Sequence, residues 1–350
     1  MTQTTVAPPG PVSTTRPGPA GSHPTPRSAW LTSPWIEFAV KRLIGLAITI
    51  VVLVLVTFLI VQLIPGDPAV QAAGPDATAE QIERVREQLG LTLPLGERFI
   101  AYLTTLTDGT MGTSFMLNDT VSSIIFARLP FTAGLAVVAI IVTLLVAVPL
   151  GMSVGILTRG GRRRVLDDGF ALVTGFVAAI PPYVMATGLV VVFAVTLALV
   201  PPAYSSTNPG LSFLLPVIAL AIGPICTIAR VVRRETAVVL EQDYMRTATG
   251  WRLPAIRRYA SYALPNLLTS TLTLSGLILT SMLGGAIIIE TVFSWPGLGL
   301  GIVQAIANKD YPLIQGIVIV LGVLAALLTL LVDVVLGIVD PRTLGGRHEQ

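Results

Sequence analysis

The chain has 350 residues, of which 53% are hydrophobic and only 12% are charged, and its formal net charge is +3. A soluble domain is about 25% charged, so this composition excludes an ordinary soluble protein and indicates a polytopic membrane protein. The basic residues lie where membrane topology places them, so the positive charge does not predict a nucleic-acid partner.

The N-terminal segment, residues 1–35, contains eight prolines among threonine, serine and glycine. Such a segment cannot bury enough apolar surface to form a core. We therefore predict a disordered tail that is dispensable for function.

Six apolar runs follow, and each is long enough to cross the hydrocarbon core, which takes about 20 helical residues. They lie at about 43–64, 131–157, 168–199, 211–234, 268–290 and 313–338. The sequence therefore predicts an all-α membrane domain over 36–342 with six transmembrane helices, followed by a C-terminal tail at 343–350. Prolines interrupt the third run at Pro181 and Pro182 and the fourth at Pro216 and Pro224. These prolines favour kinked helices that line a path over simple lipid anchors.

The distribution of basic residues predicts the orientation of the six spans. The segments expected on one side of the membrane hold 17 lysines and arginines, against 5 on the other side. The short loop 158–167, which contains RGGRRR, carries the most weight in the positive-inside rule. We expect a multi-pass protein of the plasma (cell inner) membrane with both termini in the cytoplasm.

The segment between the first two spans, residues 65–130, is predicted to be extracytoplasmic and partly helical. In DATAEQIERVREQLG, Thr78 is expected to cap a helix, Gln81 to complete a capping box and Gly90 to end the helix. The segment carries eight acidic and four basic residues. Two interpretations stay open here: a small packed cap, and a docking surface for a delivery protein.

The loop between the fourth and fifth spans, residues 236–262, is cytoplasmic by the same count of charges. It contains a short helical pattern in which Tyr244, Thr247, Ala248 and Trp251 share one face. Leu253-Pro254 is expected to end this helix, and the small residues from Thr247 to Gly250 are expected on its exposed side. The residues alone slightly favour a different interpretation, an interfacial helix whose arginines pair with anionic lipid head groups.

Several motifs resemble one known family. DYMRTA at 243–248 resembles the loop by which ABC-importer permeases dock on their ATPases, in the dipeptide/oligopeptide/nickel branch. LIPGDP at 63–68, ETVFSWPGLG at 290–299, KDYPLIQG at 309–316 and DPR at 340–342 also resemble that branch, in the same order, so the likeness covers about 38–342. The family has a glycine where this chain has Arg252, and Gly250 is expected to substitute for it in part.

The resemblance implies the permease subunit of an ATP-driven importer that moves di- or oligopeptides by alternating access. It implies four kinds of partner: a second, similar permease, two ATP-binding subunits, an extracytoplasmic substrate-binding protein and membrane lipid. ATP and magnesium would belong to the partners, and we expect no cofactor in this chain, because neither of its two lysines follows a glycine as a phosphate-binding loop requires. We therefore do not expect an enzyme.

Two sets of site residues follow from this interpretation. The residues expected to couple the chain to the ATPases are Asp243, Tyr244, Arg246, Thr247, Ala248, Gly250, Trp251 and Leu253. The residues considered for the substrate path are Pro181, Pro182, Tyr183, Ser275 and Ser281, for which ordinary helix packing is the competing explanation. No metal site is expected.

Two alternative functions stay open at this stage. One is an importer of nickel or another small solute in the same family. The other is an ion-coupled secondary transporter, which would need ionisable groups near the middle of the bilayer. Glu290 and Asp333 are the acidic residues nearest to span interiors, but both lie towards span ends. Asp333 is expected to pair with an arginine.

Overall fold

The computed structural model describes residues 34–63, 67–74 and 76–339, and these residues form helices and turns with no strand. The helices, in chain order, are α1 (Pro34–Leu63), α2 (Pro68–Ala73), α3 (Ala79–Gln88), α4 (Leu95–Thr107), α5 (Val121–Leu157), α6 (Arg164–Ala179), α7 (Pro182–Leu189), α8 (Pro209–Glu241), α9 (Asp243–Gly250), α10 (Ala255–Arg258), α11 (Leu264–Val292), α12 (Leu298–Ala307) and α13 (Tyr311–Val339). We call the end with α2–α4 and α12 the cap side, and the end with α9 the loop side. Residues 1–33, most of the predicted tail, and 340–350 lie outside the described residues.

The helices confirm an all-α polytopic membrane protein. Within the described residues α1, α5, α8 and α13 are long and apolar enough to cross a membrane, and α6 with α7 makes a fifth when this bent pair is counted as one span. The helix α11 also runs the length of a span, but several of its side chains lie outside the description. The count of six spans therefore stays a prediction.

The helices α5 and α8 pack closely together, and two glycines allow their approach. A Cβ on Gly151 would lie 2.5 Å from the Ala229 carbonyl oxygen, and a Cβ on Gly155 would lie 2.7 Å from Cβ of Thr236. Small residues four apart let two membrane helices bring their backbones together. The helix α5 begins at Val121, ten residues before the apolar run, because the Thr120 hydroxyl caps it by accepting the Ser123 N–H.

The third predicted span is broken. The chain bends by 94° between Ala179 and Pro182, and α7 then continues as a π-helical turn, Val190–Thr196. Two consecutive prolines have no N–H to continue the hydrogen-bond ladder of α6, which explains the break. On its loop side α6 is fixed to α8 by an ion pair between Asp167 and Arg233.

The segment between α1 and α5 packs as a cap. Thr78 and Gln81 form the predicted capping box at the start of α3, and Gly90 follows that helix with φ +64°, so both predictions are confirmed. The helix α4 packs on α1, where the rings of Phe99 and Tyr102 contact Phe58. These contacts support the interpretation of a packed cap.

Two buried carboxylates fix the turns on the cap side. Glu290 is fully buried and accepts the N–H groups of Gly299 (2.6 Å) and Leu300 (3.2 Å), so it caps α12. Asp310 is also buried and accepts the Ser114 hydroxyl and the N–H groups of Phe115 and Met116. Glu290 belongs to the ETVFSWPGLG motif and Asp310 to the KDYPLIQG motif, so each motif supplies the acid that holds its own turn.

Candidate functional site

The helix α9 lies across the loop side as a separate element. The chain leaves α8 through Gln242, which is extended, and α9 then runs from Asp243 to Gly250. A further turn, α10, starts after Pro254 and leads through a π-helical turn, Tyr259–Ala263, into α11. The short helix predicted in the 236–262 loop is therefore present.

The side of α9 on which Ala248 lies differs from the predicted one. Met245 and Ala248 are buried, whereas Tyr244, Thr247 and Trp251 are exposed. The prediction that Ala248 lies on the exposed, small-residue side is wrong. The apolar positions i and i+3 of this two-turn helix face the ends of the spans, and that direction depends on how the helix is docked rather than on its own pattern.

Met245 anchors α9 to three long helices. Its side chain packs in one cluster with Val239 and Leu240 from α8, Leu267 from α11, and Met152 and Ile156 from α5. Arg159, just after α5, donates a 2.7 Å hydrogen bond to the Leu240 carbonyl. Met245 therefore joins α9 to the loop-side ends of α5, α8 and α11.

The opposite side of α9 is open. A Cβ on Gly250 would meet no atom within 4 Å, and Trp251 is 69% exposed. Asp243 and Arg246 form an exposed i, i+3 pair at 3.4 Å, and Leu253 is half-buried. Small and flat groups on this side leave the backbone accessible to another protein.

Arg252 stands at the position where the family that this chain resembles has a glycine. It has φ +56°, in the left-handed region that favours glycine, and its N–H donates to the Thr249 carbonyl. Gly250 is helical instead. Gly250 does not take over the left-handed turn, which falls on Arg252 itself, and its partial substitution for the glycine in docking stays a prediction.

A cleft lies beside the break in the third span. It has a volume of about 150 Å³ and lies between α6, α7, α8 and α11. Pro182 and Ser281, two residues predicted for the substrate path, line it together with Pro224 of α8. The residues Pro181 and Tyr183 are exposed and do not line this cleft, and the Ser275 side chain lies outside the described residues.

The two acidic residues weighed for ion coupling both have structural partners. Glu290 caps α12, as described above. Asp333 pairs with Arg42 at 2.8 Å, which confirms the predicted ion pair and ties α13 to α1 on the loop side.

A membrane bundle with a broken span, a cleft and a surface helix anchored to several helix ends defines the membrane-spanning subunit of a transporter. The chain matches the family of binding-protein-dependent transport system inner membrane components over residues 147–345, and the N-terminal region of such components over residues 35–136. The chain belongs to this family, and it is a permease subunit of an ABC importer.

Relatives agree along nearly their whole lengths. One, named as a peptide transport system permease of Brucella abortus, is 35% identical over 308 residues, which is 86% of this chain and 97% of the relative. A protein of Sinorhizobium fredii named as a peptide ABC transporter permease is 32% identical over 311 residues, with 87% and 98% coverage. The glutathione transport system permease GsiC of Salmonella paratyphi A is 35% identical over 308 residues, with 87% and 98% coverage.

Proposed function

We propose that this permease imports di- or oligopeptides by alternating access, driven by ATP hydrolysis on separate subunits. The observation that carries the proposal is the position of α9, which packs beneath the ends of α5, α8 and α11 through Met245 and presents an open side around Gly250. The relatives named above for peptides and for glutathione, which is itself a tripeptide, support a peptide cargo.

In this mechanism α9 is the element that receives the motion. When two ATP-binding subunits close on nucleotide, the one in contact with α9 displaces it, and the helix ends joined to Met245 move with it. The 94° break between Ala179 and Pro182 is a natural hinge beside the cleft. Energy enters as a difference in contacts between two global states.

The chain works within an assembly in this proposal. Its partners are a second, similar permease, two ATP-binding subunits that hold ATP and magnesium, an extracytoplasmic substrate-binding protein and membrane lipid. The termini and α9 lie in the cytoplasm, so the loop side faces inwards. This chain itself holds no cofactor and performs no covalent chemistry. Ion coupling is disfavoured because the carboxylates of Glu290 and Asp333 are engaged in helix capping and an ion pair.

The test uses Gly250, since its side of α9 is open and its backbone is helical. We expect Gly250→Trp to keep the protein in the membrane but to lower peptide uptake by reconstituted complexes by about tenfold or more, because a large side chain blocks close docking. The matched variant Gly250→Ala should transport at the wild-type rate. Wild-type uptake by Gly250→Trp, with unchanged stimulation of ATP hydrolysis by the loaded binding protein, would refute the proposal.

A further inference from the structure

A pocket separate from the cleft lies on the cap side, where the end of α1 meets the cap helices. It has a volume of about 250 Å³. Four of its lining residues have polar side chains, namely Gln62 of α1, Asp67 before α2, Arg86 of α3 and Arg98 of α4. Two of these four are arginines, although the segment 65–130 as a whole carries eight acidic and four basic residues. The pocket is therefore a positively charged place within an acidic segment.

The polar groups of this pocket divide into a paired set and a free set. Asp67 accepts the Ala69 N–H through Oδ1 and pairs with Arg86 through Oδ2, and Arg86 also pairs with Glu83. In the part of the chain that the structure describes, the side chains of Arg98 and Gln62 have no hydrogen-bond or ion-pair partner. Both side chains are half-buried. The charge of Arg98 and the amide of Gln62 are therefore available to a ligand in the pocket.

The length of α1 places this pocket at the edge of the hydrocarbon core. Lys41 and Arg42 precede the apolar run of α1 and mark its edge on the loop side. Gln62 follows Arg42 by twenty helical residues, which is a rise of about 30 Å. The hydrocarbon core of a bilayer is also about 30 Å thick. Gln62 and the pocket therefore lie at the level of the phospholipid headgroups on the cap side.

Apolar side chains beside the pocket are exposed. On α1, Leu59 and Ile60 are exposed, and Leu63 is 81% exposed directly after Gln62. On α4, Leu95 is 60% exposed one turn before Arg98. Most residues of α1 are exposed in the same way along the length of the helix. A ligand that fits this surroundings has an anionic group for the pocket and hydrocarbon chains for the face of α1.

We propose that the pocket binds the phosphate of an anionic phospholipid. The guanidinium of Arg98 binds two phosphate oxygens, the Gln62 amide donates a further hydrogen bond, and the acyl chains lie along α1. Arginine suits this role because its planar fork matches the oxygens of a phosphate. A headgroup with a net negative charge balances the charge that Arg98 brings, which a zwitterionic headgroup does not. The bound lipid then joins α1 to α4 and holds the cap on the bundle.

The experiment measures hydrogen exchange of residues 86–98 in the complete importer, purified in detergent with its partner subunits and stripped of lipid. Phosphatidylglycerol, phosphatidylcholine and inorganic phosphate are titrated separately, and the concentration that gives half of the protection is the apparent Kd of this site. The variants are Arg98→Gln and Arg98→Lys. Arg84→Gln is the matched control, because Arg84 is an exposed arginine of α3 that does not line the pocket.

We expect the wild type to bind phosphatidylglycerol about tenfold more tightly than phosphatidylcholine, because charge-assisted hydrogen bonds to Arg98 favour the anionic headgroup. Arg98→Gln should weaken the binding of phosphatidylglycerol by about tenfold and remove the preference between the two lipids. Arg98→Lys should keep part of the preference, since lysine retains the charge without the fork. Arg84→Gln should match the wild type for both lipids.

Three results would overturn the inference. The first is a wild-type preference for phosphatidylglycerol in Arg98→Gln. The second is equal protection by inorganic phosphate at the same concentration, which shows a site for a free anion and not for a lipid. The third is protection of the wild type by the extracytoplasmic binding protein and not by lipid, lost in Arg98→Gln, which assigns Arg98 to an acidic side chain of that protein.

Discussion

Glu290 shows how one buried side chain holds a turn on the cap side. Its carboxylate accepts two N–H groups at the start of α12, and a Cβ on Gly297 or Gly299 would lie within 3 Å of that carboxylate. The two glycines of the SWPGLG motif therefore make room for the acid. In the sequence, the ETVFSWPGLG motif stood out only by its resemblance to a family. The contacts of Glu290 in the structure supply its physical reason.

We predict that Glu290→Ala destabilises the protein by about 2 kcal/mol, because the two N–H groups at the start of α12 lose their side-chain acceptor. The melting temperature of the detergent-solubilised protein should fall by several degrees. Glu87→Ala is the control, since Glu87 is exposed on α3. Equal melting temperatures for the two variants would contradict the capping role.

At Arg252 the backbone conformation matters more than the side chain. A residue with a Cβ in the left-handed conformation costs roughly 1 kcal/mol, and Arg252 has φ +56°. The amides of Trp251 and Arg252 both donate within this turn, to the carbonyls of Thr247 and Thr249.

We predict that Arg252→Gly relieves this strain. The backbone amides of residues 251 and 252 should therefore exchange hydrogen more slowly in Arg252→Gly than in Arg252→Ala. The alanine variant removes the same charge but keeps the Cβ, so it separates backbone strain from charge. Faster exchange in the glycine variant than in the alanine variant would show that the turn is not strained.

At the scale of whole elements, helix contacts depend on small residues that hydropathy does not register. The approach of α5 to α8 uses Gly151 and Gly155, and the position of α9 uses Met245. A spacing of four between the glycines was visible in the sequence, but nothing in the sequence shows which helix they face. The prediction for α9 also put Ala248 wrongly on the exposed side, because the neighbours of a two-turn helix decide how it docks.

The cap offers a prediction at this scale. Asp67 caps α2 by accepting the Ala69 N–H and pairs with Arg86 of α3. Burial alone would raise the pKa of Asp67, but the hydrogen bonds from Arg86 and Ala69 outweigh it, so the pKa lies below its ordinary value of 3.8. Its contribution to stability is therefore complete above that ordinary value, and it is lost as pH falls through the lowered pKa.

We predict that Asp67→Asn increases hydrogen exchange in α2 and α3 at pH 7, because the charge that joins the two helices is gone. The wild-type cap should exchange equally slowly, after correction for intrinsic rates, at pH 7 and pH 5. Loosening of the wild-type cap between pH 7 and pH 5 would contradict the assignment, and Asp76→Asn, an exposed acid between α2 and α3, is the control.

At the scale of the whole molecule, orientation rests on the 17 basic residues expected on one side against 5 on the other. The structure places α9 and the loop after α5 at the same end of the bundle, joined by the hydrogen bond from Arg159 to the Leu240 carbonyl. The arginine-rich loop after α5 and the segment around α9 therefore lie on one side of the bundle, as the predicted topology requires.

We predict that a reporter that functions only in the cytoplasm is active when fused after Gln350. The same reporter should be inactive when fused after Gly109, which lies in an exposed turn of the cap. A reporter that functions only outside the cytoplasm should give the opposite result at both positions. Extracytoplasmic activity after Gln350 would invert the orientation and place α9 out of reach of the ATPases.

The sequence by itself determined the class of protein, the apolar spans, the capping box at Thr78 and the existence of a short helix in the 236–262 loop. These features follow from local composition, period and capping, which neighbouring residues settle among themselves. Only the tertiary structure decided which side of α9 is buried and that Pro182 and Ser281 share a cleft. Those facts depend on contacts between residues far apart in the chain, and no local pattern encodes them.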